Sequence, residues 1–129
     1  MKTKVLTAGT FDILHTGHIE YFKAAKALAE GSDLIIIVAT DKNSIKIKKK
    51  TPINNQDIRL KRVKELNIAD SVILGTESNP INSVLKTKPD IIALGYDQWP
   101  NEDSLQSELK QKGLNVKIIR MPKFRKEPL

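Results

Sequence analysis

The sequence predicts a single-domain α/β fold over residues 1–129: a Rossmann-like, doubly wound parallel sheet of about five strands with helices on both faces. Three observations predict it. Short apolar runs recur at Val5–Ala8, Asp33–Ala39, Ser71–Leu74, Asp90–Leu94 and Val116–Met121, and segments of helical periodicity separate them. The stretch from Leu34 to Ala39 holds no polar residue, as a strand covered on both faces requires. The connections are short, with no low-complexity linker and no internal repeat. Alternation of this kind demands right-handed crossovers, and it places ligands at the carboxyl ends of the strands near the switch point of the sheet.

Each element has a local reason. Val5–Ala8 is short, apolar and ended by Gly9. After Gly9–His18, the residues Tyr21, Phe22, Ala25, Leu28 and Ala29 form one apolar helical stripe, and Gly31 supplies a stop. Asp33–Ala39 is the strongest strand. Asp41–Lys50 carries five lysines and no acid after Asp41, and reads as an exposed basic loop with room for a short helix over Lys42–Ile47. Thr51-Pro52 ends it. Asn54 or Asn55 caps a helix running to about Asn67, with Leu60, Val63 and Leu66 on its apolar side. Ser71–Leu74 ends at Gly75. Ser78 or Asn79 before Pro80 opens a helix that buries Ile81, Val84 and Leu85. Asp90–Leu94 ends at Gly95. Asp103 and Gln106 have capping-box spacing, Leu105 and Leu109 face inward, and Gly113 stops that helix before Val116–Met121.

Composition narrows the function. With no cysteine there is no disulfide scaffold, thiolate metal site or cysteine nucleophile. No apolar run approaches the ~18 residues that cross a bilayer, and the N-terminus shows no long h-region, so a cytoplasmic protein is expected. The net charge of +7, from 22 basic and 15 acidic residues, favours anionic partners. Only Arg59, Arg62, Arg120 and Arg125 among the basic residues are arginines, and aromatics are 5%. Sequence-reading nucleic-acid binders lean on arginine forks and aromatic stacking. Lysine, a point charge, suits phosphate. The composition leans towards a phosphate-bearing small ligand, with no nucleic acid and no membrane as partner.

Both histidines of the chain lie three positions apart in His15-Thr16-Gly17-His18. A lone histidine is usually a satisfied core or surface residue. Two of them where a strand hands over to a helix are different. The helix N-terminus offers unpaired N–H groups and a positive dipole end, Gly17 would let backbone approach a phosphate, and the imidazoles add donors. Metal ligation is the rival. A zinc site wants three or four ligands, and there is no cysteine, third histidine or H-E-x-x-H pattern, so no metal ligands are assigned.

Gly9-Thr10-Phe11-Asp12 followed by His15-Thr16-Gly17-His18 resembles the HxGH nucleotidyltransferase superfamily, the cytidylyltransferase-like enzymes. The match extends over most of the chain and looks like the small single-domain group of glycerol-3-phosphate cytidylyltransferases and archaeal-type FAD synthases (FMN adenylyltransferases). Thr51-Pro52-Ile53 with Arg59, and the segment Asp90–Gln98, resemble the FAD synthases; Trp99 keeps a trace of the cytidylyltransferase pattern. The resemblance implies an enzyme that passes a nucleoside monophosphate from a nucleoside triphosphate to a phosphate-bearing acceptor and releases pyrophosphate. ATP and FMN giving FAD is the leading pair. CTP with glycerol 3-phosphate is the alternative, and sugar-1-phosphate or pantetheine-phosphate acceptors are further rivals. Mg²⁺ would bridge phosphate oxygens, and a homodimer is implied.

The site residues follow the motif. His15 and His18 would contact the triphosphate and stabilise charge on the transferring and leaving phosphates. Thr10, Phe11 and Gly17 would hold the phosphates and shape the pocket. Asp12 would orient the loop or approach a metal-bound water. Lys46, within the run that includes Lys48, Lys49 and Lys50, would clamp a phosphate, although a lysine run is usually a solvated face. Arg59 resembles a helix arginine that reaches a phosphate; the plain alternative is an exposed arginine in a charged helix. Gly95, Asp97 and Gln98 would read base or ribose, against simple turn chemistry after a strand. Tyr96 and Trp99 could stack on a base or an isoalloxazine ring, or serve a dimer contact. The family follows its last strand with a basic segment and a Ser/Thr-rich stretch. Lys123-Phe124-Arg125-Lys126 matches the first, the second has no counterpart here, and Arg125 is left as a phosphate contact on a tail expected to be mobile. Two readings from other classes compete: a nucleotide-binding module without turnover, and an RNA-binding protein that would leave the paired histidines without a role.

Overall fold

The computed structural model describes residues 2–98 and 101–129. Its elements run β1 (Lys4–Gly9), α1 (Thr16–Lys26), β2 (Asp33–Val38), α2 (Asp41–Lys48), α3 (Gln56–Glu65), β3 (Ser71–Leu74), α4 (Ile81–Thr87), β4 (Ile91–Leu94), α5 (Glu102–Gln111) and β5 (Lys117–Arg120). The strands form one parallel sheet in the order β3-β2-β1-β4-β5. The order reverses between β1 and β4, which puts the switch point beside the end of β1.

Period-2 alternation sends side chains to the two faces. Val5, Leu34, Ile36, Val38 and Ala93 pack with Tyr21, Phe22 and Ala25 of α1 and Val63 of α3. Leu6, Ile37, Ile92 and Leu94 pack with Ile81 of α4 and Leu109 of α5. The helices therefore cover both faces, and the apolar strand runs are explained.

Two expectations change. The short helix for which the sequence left room over Lys42–Ile47 runs from Asp41 to Lys48 and takes up most of the basic stretch. Its cap is Thr40, whose hydroxyl accepts the Asn43 N–H at 3.2 Å. Its inner side is polar: Asn43 and Ser44 are buried, and the Asn43 amide donates to the carbonyls of Thr76 and Ser78. A helix anchored this way shows no apolar period. The last helix is capped by Asn101 and not by Asp103, because the Asn101 side chain accepts from the N–H groups of Asp103 and Ser104.

The carboxyl edge of the sheet is stapled by three side chains. Arg59 of α3, fully buried, donates to the carbonyls of Thr10, Ala39 and Asn54 at 2.8, 2.8 and 3.0 Å and pairs with the Asp41 carboxylate at 2.7 Å. It thereby ties the exits of β1 and β2 to the loop before α3. Across the switch point, Gln98 donates to the Ala8 carbonyl at 2.9 Å and accepts the Gly95 N–H at 3.0 Å. Arg120 of β5 donates to the carbonyls of Gly95 and Gln98 and pairs with Glu102.

Arg59→Met keeps much of the volume but strands three carbonyls and the Asp41 carboxylate. The Asp41 carboxylate is 38% exposed and loses little on its own, but leaving buried carbonyls without a donor costs about 1–3 kcal/mol for each group that water cannot reach. Denaturant unfolding of the variant should show a loss of that size, and Arg59→Lys should recover only part, since one ammonium cannot reproduce the fork.

Candidate active site

The loop between β1 and α1 is built around three local constraints. Phe11 adopts φ +52°, and its ring turns back into the core, edge-on to Phe22 at 5.1 Å and to His18 at 5.6 Å. Gly9 makes room for that ring: a Cβ there would lie 2.8 Å from Phe11 Cζ. Asp12 accepts the backbone N–H groups of Ile53 and Asn54 at 2.7 and 2.9 Å, and so pins the 53–54 loop against this one. Burial alone would raise the Asp12 pKa, but those hydrogen bonds from Asn54 and Ile53 hold it below the ordinary carboxylate value.

The two histidines form a unit. His15 is the N-cap of α1, and its own N–H donates to His18 Nδ1 at 3.2 Å. The rings stack with centroids 3.9 Å apart and planes 25° from parallel. Because Nδ1 of His18 accepts, the proton of the neutral ring belongs on Nε2. Burial pushes the His18 pKa down to about 4, and positive charge at His15, Lys126 and Lys48 adds to the effect. Burial and Lys126 lower His15 as well, and its buried Nδ1 has no hydrogen-bond partner. At neutral pH the pair is uncharged and offers N–H donors at the positive end of a helix.

The other residues expected at the site divide. Thr10 belongs here; its buried hydroxyl shares a hydrogen bond of 3.2 Å with Ser44 of α2. Asp12 orients a loop, one of the two roles read for it. At Gly17 the space over the Cα holds the His15 ring, 2.9 Å from where a Cβ would sit, and the Arg125 carbonyl at 3.3 Å. Its missing side chain serves the imidazole. Arg59 is corrected. It is neither exposed nor turned to a ligand, because the carbonyls and Asp41 take its fork. Gln98 performs turn chemistry, with its amide committed on both atoms, and Gly95 is part of that turn. Asp97 is exposed beside it. Lys46 is exposed on α2, whereas Lys48 of the same run reaches His18 electrostatically. The Tyr96 ring carries Lys123 at 5.6 Å. Trp99 lies outside the described residues.

The tail expected to be mobile is docked. The Thr16 N–H donates to the Glu127 carbonyl and the Glu127 N–H to the Thr16 hydroxyl, both at 2.9 Å. That hydroxyl donates to the Arg125 carbonyl at 3.1 Å, and His15 pairs with Pro128 in an antiparallel bridge. The Arg125 side chain is 88% exposed and pairs with Glu127 at 2.9 Å. Sequence reasoning named Lys48 and Lys126 only as members of their basic segments and did not single them out as the lysines that act on the imidazoles. Both lie in basic segments whose members look alike until the backbone places them.

The imidazole environment sets a pH dependence. An unfolded histidine titrates near 6.5 and His18 near 4. Between those values the unfolded chain binds more protons, so stability rises with pH across the window and is lost as pH falls from 6.5 towards 4. Thermal melts from pH 7.5 to 4.5 should show Tm falling in that range. His18→Asn, which keeps an acceptor for the His15 N–H but does not titrate, should flatten most of the slope.

Comparison with known proteins agrees with this geometry. The family described as Cytidylyltransferase-like matches residues 6–129. The chain is 51% identical over 125 residues to the FAD synthase of Korarchaeum cryptofilum, covering 96% of this chain and 84% of that one. It is 43% identical over 121 residues to the FAD synthase of Thermoplasma volcanium, covering 94% and 83%. A crystal structure of a protein from Thermoplasma volcanium, described as a lipopolysaccharide core biosynthesis protein, superposes with a TM-score of 0.89 at 41% identity, covering 97% of this chain and all of that one. With the stacked histidine pair at the start of its first helix, on a five-stranded parallel sheet, this chain belongs to the cytidylyltransferase-like family of nucleotidyltransferases.

Proposed function

We propose that this chain is an FMN adenylyltransferase, which transfers AMP from ATP to FMN to give FAD and pyrophosphate. The uncharged, stacked imidazole pair at the N-terminus of α1 carries the reaction class. The choice of ATP and FMN is supported by the FAD synthases that match nearly the whole chain.

In this reading a phosphate oxygen of FMN attacks the α-phosphorus of ATP. The bond from that phosphorus to the bridging oxygen of the β-phosphate breaks, and pyrophosphate leaves. No covalent intermediate with the protein is required. The chain's work is positioning and charge stabilisation. His18 donates from Nε2 while the His15 backbone N–H holds its Nδ1. His15 stacks on it at van der Waals distance and adds a second imidazole to the phosphates. Thr10 fixes the strand exit against α2, and the lysines flanking the pair attract the polyphosphate. Neither histidine serves as a general base here, since the attacking phosphate is already ionised.

The family uses a divalent cation, and Mg²⁺ is our choice. Among the described residues no three carboxylates or imidazoles converge to hold an ion. Asp12, the carboxylate in the loop that leads to the histidines, has both oxygens engaged by the 53–54 loop. The donor set therefore does not fit a protein-held metal; the ion would arrive on the phosphates, and no step is assigned to it.

The test is formation of FAD with equal release of pyrophosphate from ATP and FMN, compared with CTP and glycerol 3-phosphate. Product from the first pair alone is expected; product from the second pair alone would overturn the assignment. His18→Ala should lower turnover by about 10²–10³, the loss that follows removal of one donor to transition-state charge. The circular dichroism spectrum should be retained.

A further inference from the structure

Residues 125–128 form a strap across the N-terminal end of α1, and the strap has a defined orientation. Its main chain is held on both sides of Lys126: the Arg125 carbonyl accepts from the Thr16 hydroxyl, and Glu127 bonds Thr16 through both its N–H and its carbonyl. Pro128 pairs with His15. The side chains of Arg125 and Glu127 meet each other at 2.9 Å, so they share a side, and Arg125 is almost fully exposed there. In an extended segment the residue between two such neighbours faces the other way.

We propose that Lys126 is the strap's phosphate-binding residue, contacting the triphosphate over the start of α1 beside His15 and His18. This rests on the reading that a nucleoside triphosphate occupies this site. Independent support comes from the imidazoles: the charge of Lys126 lowers the proton affinity of both.

The charges that act on the pair are positive. Lys126 and Lys48 act on His18, and the helix dipole points its positive end there. Two carboxylates of the adjoining segments are engaged elsewhere, Asp12 by the 53–54 loop and Glu127 by Arg125. Like charges brought together by hydrogen-bonded backbone repel one another, and a polyanion relieves that repulsion. Lysine suits a mobile phosphate chain, which needs charge more than fixed geometry.

Lys126→Gln tests this, with Lys126→Arg as rescue and Lys110→Gln on α5 as a control for lost charge alone. Direct ATP binding by calorimetry should weaken about tenfold in Lys126→Gln and recover in Lys126→Arg. The KM for ATP should rise while the KM for FMN changes little. The chain has only two histidines, so an NMR titration of their ring protons reads the site directly. Both pKa values should rise in Lys126→Gln and stay unchanged in Lys110→Gln. Unchanged ATP affinity together with unchanged imidazole titration in Lys126→Gln would overturn the proposal. Because ATP binding and imidazole titration need no acceptor, they judge Lys126 even where FAD formation fails, which would instead overturn the proposed function.

Discussion

The open carbonyl edge of the parallel sheet is the constraint on which this structure depends. Where the strands stop pairing, carbonyls at their ends must find donors or remain buried and unpaired. Arg59 resolves the problem for β1 and β2 together, since one guanidinium fork reaches Thr10, Ala39 and Asn54. Gln98 reaches the Ala8 carbonyl of β1 across the switch point, and Arg120 takes the Gly95 carbonyl just beyond β4. The loop that carries the histidines leaves the sheet from this braced edge. Its direction follows from Phe11, whose ring enters the core under His18, and from Asp12, which fastens it to the neighbouring loop. A side chain whose position relative to a reacting phosphate must be held to within a fraction of an ångström needs such a frame.

This division of labour explains what the sequence could and could not reveal. Strand positions were legible because a doubly covered strand has to be continuously apolar, as Leu34–Val38 is. The histidine motif was legible because two imidazoles around a glycine at a strand-to-helix junction have few other uses. Arg59 and Gln98 were ambiguous in the sequence for one reason. The sequence shows that a multivalent donor lies near a strand end, and such a donor fits a ligand phosphate and an orphaned carbonyl equally well. Only the backbone decides, and here the carbonyls are closer. The extent of the α2 helix was not legible because its buried side is made of Asn43 and Ser44, which hydrogen-bond rather than pack, so no apolar period marks it. Gly17 shows the same ambiguity at the smallest scale: a missing Cβ can admit a phosphate or an imidazole, and His15 fills the place.

The electrostatics of the pair give the last step. Uncharged imidazoles beside Lys48 and Lys126 are the consequence of burial and mutual repulsion in the free protein. A triphosphate reverses the sign of the surrounding field, so by linkage its binding must raise both pKa values. To charge His18 at pH 7, the ligand would have to lift its pKa from about 4 by roughly three units, about 4 kcal/mol of differential interaction. That is a large share of what several charge-assisted hydrogen bonds supply. In the proposed reaction His18 would therefore meet the triphosphate as a neutral donor, and the interaction of that donor would strengthen as negative charge builds on the leaving pyrophosphate.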